Sequence, residues 1–104
     1  MKILDKEIDF DLNDAETIDK IQKIAREYDT ELKNSNTLTE ACNTYRKFFD
    51  TAIGEGTSNS LFGEKNNYMD IITAYNQIIE VLANKLDEFE QIKNQIAKKY
   101  ERYQ

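Results

Sequence analysis

Between Gly54 and Asn67 the chain reads Gly-Glu-Gly-Thr-Ser-Asn-Ser-Leu-Phe-Gly-Glu-Lys-Asn-Asn, and this stretch holds all three glycines of a sequence without proline. A glycine inside a helix costs about 1 kcal/mol relative to alanine, so three within ten positions mark a connection where the backbone needs unusual torsions or close approach. The rest of the chain is therefore divided into two helical halves. Leu61 and Phe62 lie inside the connection, where an exposed linker has no use for an apolar pair. The expectation is a structured loop over 54–67, with Gly54, Gly56, Gly63, Asn66 and Asn67 shaping it. Leu61 and Phe62 then either tuck against a helix or face a partner, and both are candidate interaction residues that form a contact surface together with the distal stripe of the last helix.

Before the loop, Ile8, Phe10 and Leu12 alternate with acids, a period of two that predicts a strand. Ile3 and Leu4 precede it, and Asp5-Lys6 falls where a two-residue turn would close a β-hairpin over 1–12. Two strands are marginal in water, so the apolar face of that hairpin must pack on a helix. A capping-box pattern at Asn13 with Glu16 starts the first helix, 13–33. Its apolar stripe is Ile18, Ile21, Ile24, Ala25, Tyr28 and Leu32, and Glu16–Lys20, Asp19–Lys23 and Asp29–Lys33 place opposite charges one turn apart. Thr37 with Glu40 repeats the signature for a second helix, 37–53, whose face is Leu38, Ala41, Cys42, Tyr45, Phe48, Phe49, Ala52 and Ile53. The joint between the two is short and polar, which predicts an antiparallel pair.

The segment 68–103 has no breaker. Tyr68, Ile72, Tyr75, Ile79, Leu82, Leu86 and Phe89 recur at alternating steps of four and three, with Ile71 and Ile78 widening the stripe. The pattern skips from Phe89 to Ile92 before Ile96, Tyr100 and Tyr103 resume it. At about 1.5 Å per residue such a helix spans roughly 54 Å, whereas the second helix spans only roughly 24 Å. Either the first two helices stack end to end along it, or its distal half leaves the body and packs on another copy. With an antiparallel pair, Ile92, Ile96, Tyr100 and Tyr103 lack cover within the chain and are candidate interaction residues, Tyr100 and Tyr103 as aromatic anchors. The predicted fold is a single mainly α domain over 1–104: a short N-terminal β-hairpin, an antiparallel helix pair, a glycine-containing loop and a long C-terminal helix.

The residue inventory is poor in catalytic tools. There is no histidine, so the usual general base and the commonest transition-metal ligand are missing, and one cysteine excludes an internal disulfide. Cys42, on an apolar stripe, reads as a small buried hydrophobe. The loop fails as a phosphate-binding P-loop, because Gly63-Glu64-Lys65-Asn66 lacks both the spacing and a Ser or Thr after the lysine. Asp50-Thr51-Ala52-Ile53-Gly54 lacks the alternating oxygen ligands of a calcium loop. Asp9, Asp11, Asp14 and Glu16 fit a solvated strand face and a helix N-terminus better than a metal site. No enzyme, cofactor or metal is expected. The net charge of −6 disfavours nucleic acid and anionic membranes as partners. No run is long and apolar enough to cross a bilayer and Met1–Glu7 is charged where a signal peptide would be apolar, so the cytoplasm is the expected compartment.

Two segments carry a resemblance, Lys6-Glu7-Ile8-Asp9-Phe10-Asp11-Leu12-Asn13-Asp14-Ala15 and the run from Phe48 to Asn67 that ends in Phe-Gly-Glu-Lys-Asn-Asn. They resemble small proteins encoded in the tail-gene region of phages and prophages of Gram-positive bacteria, grouped with tail assembly chaperones. The resemblance covers most of the chain in element order, and its most specific part is the loop. It implies a noncatalytic helper in the cytoplasm of the bacterial host that binds the tape-measure protein, keeps its hydrophobic coil soluble and recruits tail-tube protein. The final helix is longer than such a role requires, which leaves a homo-oligomer open. Two alternatives stand beside it: a structural or adaptor oligomer of the phage tail, which the same resemblance allows, and an acidic inhibitor of a host DNA-binding protein, which the net charge allows.

Overall fold

A computed structural model describes residues 1–101, with side chains through residue 99. The chain forms a hairpin of β1 (Lys2–Ile3) and β2 (Lys6–Glu7), then α1 (Ala15–Lys33), α2 (Leu38–Ala52), the short α3 (Thr57–Phe62) and α4 (Tyr68–Glu101). The architecture is mainly helical, with the short antiparallel hairpin at its N-terminus and the long helix last.

The hairpin is tighter than the alternation suggested. Lys2 pairs with Glu7 and Ile3 with Lys6, so the turn is Leu4-Asp5, one residue earlier than expected. Both turn residues have positive φ, 51° and 63°, the torsions a two-residue turn needs to match strand twist. The ladder consists of these two pairs, and 8–12 runs on as an irregular connection in which the Phe10 amide turns back to the Ile8 carbonyl. It keeps its alternation: Leu12 is buried, Ile8 and Phe10 pack against the core, and Asp9 and Asp11 face out.

Helix α1 begins one residue later than the capping pattern indicated. Asp14 is the N-cap, its Oδ2 accepting from the Thr17 amide at 3.1 Å. Among the described residues only Asp29–Lys33 of the three expected charge pairs closes, at 2.9 Å. The cap of α2 is Thr37, whose Oγ1 accepts from the Glu40 amide, while the Glu40 carboxylate reaches back to the amide of Asn36. Glu31 meets Thr44 and Lys47, and Tyr28 meets Thr51, so α1 and α2 run antiparallel. Leu38, counted on the apolar face, is exposed at the first turn.

The core joins Ile3 and Leu12 to Ile21 and Ile24 of α1, Phe48, Phe49 and Ala52 of α2, Leu61 of α3, and Ala74, Ile78 and Leu82 of α4. On α4 the fully buried line is Ile71, Ala74 and Ile78, so the stripe is centred one residue before the Ile72, Tyr75, Ile79 series. The hairpin causes this rotation: it lies on α4, with the Leu4 amide donating to Gln77 Oε1 at 3.1 Å, so the helix is covered from two directions.

Candidate interaction surface

The loop region is built around Arg46 of α2. Its guanidinium donates to Asn66 Oδ1 at 2.6 Å, to the carbonyls of Gly63 and Lys65 at 2.9 and 2.8 Å, and to Asn59 Oδ1 at 3.4 Å. The same group lies 5.6 Å from the centre of the Phe62 ring, whose other neighbour is Phe49, edge-on at 5.3 Å. One side chain thus fixes the turn between α3 and α4. Asn67 caps α4, its Oδ1 accepting from the Asp70 amide. Gly56 and Gly63 bound α3 with φ of 88° and 67°, which a side chain would strain. Gly54 closes α2, its amide reaching the Phe49 carbonyl and its carbonyl accepting from Thr57.

What the sequence presented as a structured loop is therefore a short helix held by tertiary contacts. Asp50 accepts from both the amide and the hydroxyl of Ser58, at 2.8 and 2.9 Å, and so caps α3 from the end of α2. Lys6 Nζ donates to the carbonyls of Ser60 and Leu61 at the other end. Leu61 is 3% exposed and belongs to the core, which removes it from the contact surface proposed for it. Phe62 is half-buried between Phe49 and Arg46. Sequence reasoning missed Arg46 and Asp50, since their partners lie several residues to a full helix away and no local pattern marks them.

The chemistry of the buried groups is that of packing. Cys42 is enclosed, and burial pushes its thiol up despite the opposing charge of Arg46, which leaves little thiolate. The Tyr45 and Tyr75 rings meet at 4.9 Å across the α2–α4 seam and both hydroxyls are held above the ordinary tyrosine range, first by burial. Among the described residues no cluster of acids or cysteine could hold a metal ion, and no helix is long and apolar enough to cross a membrane.

Apart from Leu38 on α2, the large exposed apolar side chains among the described residues lie on α4, Tyr68 and Met69 at its start and three near its far end. Past Leu86 every described residue is exposed, and Phe89, Ile92 and Ile96 stand 56, 53 and 49% open in one row along the helix. Its neighbours cannot reach them: α1 begins at Ala15, opposite Leu86 and Phe89, so the bundle stops there. A shallow apolar groove lies at that junction between Ala15 and Ile18 of α1 and Leu86 and Phe89 of α4. Lys93 folds over Phe89, 5.1 Å from its ring centre, and pairs with Glu90 at 2.8 Å. Of the anchors expected on this helix, Ile92 and Ile96 are thus exposed, whereas Tyr103 and the side chain of Tyr100 lie outside the described residues.

Neither the curated proteins nor the solved structures contain a match to the chain. The model of a family described only as a family of unknown function, DUF6673, matches residues 4–104, and the chain belongs to that family.

Proposed function

We propose that this protein is a noncatalytic helical binding module that works as a tail assembly chaperone in the cytoplasm of a bacterial host, with tape-measure and tail-tube proteins as its clients. The reading is supported chiefly by the row Phe89, Ile92 and Ile96, which stands about half exposed among the described residues where α4 leaves the body. An apolar row at helical spacing suits another amphipathic helix, which is how a long hydrophobic coil would be kept soluble. The identity of the clients rests on the resemblance of the Lys6–Ala15 and Phe48–Asn67 segments. The inert Cys42 fits a binding role better than a chemical one.

The test is co-expression with the tape-measure protein of the tail region and capture through a tag on this chain. Wild type should recover the client. The triple variant Phe89→Ser, Ile92→Ser, Ile96→Ser should lose recovery while its melting temperature stays within a few degrees, since none of the three is in the core. Equal recovery by the variant would remove the row as the contact surface, and detection of the protein in purified particles would favour a structural subunit.

A further inference from the structure

We infer that the projecting end of α4 pairs, antiparallel, with the same segment of a second copy, which covers Phe89, Ile92 and Ile96 when no client is bound. The inference goes beyond client binding and needs none, because the purified chain alone would show it.

Charge distribution selects the occupant and its direction. From Asp87 to Glu90 the helix carries Asp87, Glu88 and Glu90, with Lys85 just before them near Glu88, and from Lys93 to Lys99 it carries Lys93, which also meets Glu90, with Lys98 and Lys99 and no acid. The apolar row runs through both halves, with Ile92 close to the boundary. Two such helices laid antiparallel about Ile92 set each acidic half against the other's basic half, while Phe89 of one copy approaches the Ile96 end of the other. A parallel pair would oppose acid to acid and base to base. The remainder of the chain adds a second, independent bias. Four acids and four bases cancel between Asp87 and Gln104, so the whole net charge of −6 sits on residues 1–86. Antiparallel pairing holds those two acidic bodies at opposite ends, and parallel pairing would bring them together.

The groove at the root of the projection extends the same surface. Ala15 and Ile18 of α1, with Leu86, continue the apolar row into the body.

Sedimentation equilibrium of the full chain over a range of concentrations is the test. The mass should rise to roughly twice 12.2 kDa, and Ile92→Asp, at an exposed position, should hold it at the monomer value with an unchanged circular dichroism spectrum. Direction is read by disulfide trapping in a Cys42→Ala background. Chains carrying Glu88→Cys mixed with chains carrying Gln95→Cys should cross-link to each other more readily than either does to itself. A monomer at every concentration overturns the inference, as does self-linking of Glu88→Cys chains that equals the mixed product. Client capture in the previous experiment is unaffected by either outcome, so the two readings fail separately.

Discussion

Arg46 ties α2 to the end of α3 and the turn after it, its fork meeting two carbonyls and two side-chain amide oxygens there. Its partners are fixed by position rather than by charge, so a lysine cannot replace it: a point charge on a flexible stem satisfies one acceptor at a time and does not stack on Phe62. Arg46→Ala should cost about 1–3 kcal/mol, which in a domain of this size lowers the melting temperature by roughly 5 to 20 °C. Arg46→Lys should recover less than half of that loss in a thermal melt followed by circular dichroism. At this scale the sequence could be read for the α2 cap and for apolar spacing within a turn, but not for exposed charge pairs, of which Asp29–Lys33 alone closes among the three expected. Thr37 with Glu40 announced the α2 cap, and the apolar spacing of α1 placed Ile21 and Ile24 inward. Arg46, Asp50 and Ser58 gave no such sign, since a carboxylate eight residues before the amide it caps is invisible until α2 and α3 fold against each other.

Among the elements, the helices could be read and the phase of one could not. Period, caps and the absence of breakers set α1, α2 and the start of α4 to within a residue or two. The hairpin slipped by one because Leu4 adopts a left-handed torsion that leucine rarely accepts, while alternation past Ile8 looked like a strand that lacked only a partner. α3 was hidden by Ser, Asn and Thr, poor helix formers that Asp50 and the core hold in place. The α2–α4 seam carries a pH signature. Tyr45 and Tyr75 stay protonated in the folded chain above the range where an unfolded tyrosine ionises, Tyr45 through burial and then Tyr68, Tyr75 and Cys42, and Tyr75 through burial and then Asp29. Raised values in the folded state mean that the unfolded chain releases protons first. Stability is therefore full below the ordinary tyrosine range and falls as pH rises from that range through the raised folded values. Thermal melts between neutral and strongly alkaline pH should show this decline, and the double variant Tyr45→Phe, Tyr75→Phe should flatten it.

As a whole the molecule is a body with one projection. Its radius of gyration is 16.7 Å and its extents are 59 by 31 by 20 Å, whereas a compact chain of this length has a radius near 13 Å. The difference comes from α4, whose last turns add length and no core. A chain ending at Phe89 should melt within a few degrees of the full chain, and in dilute solution its scattering radius should fall toward the compact value; a large loss of stability would show that the projection supports the body. This surplus of length was foreseeable from the uninterrupted stripe set against a much shorter second helix. The antiparallel packing of α1 and α2 then fixed where cover ends, at the first turn of α1. Because every described residue past Leu86 is exposed, substitutions from Asp87 to Lys99 that keep the helix meet little folding penalty and are judged by what they touch outside. Specificity can therefore be rewritten between Asp87 and Lys99 on an unchanged scaffold, with the fold and the contact surface altered independently of each other.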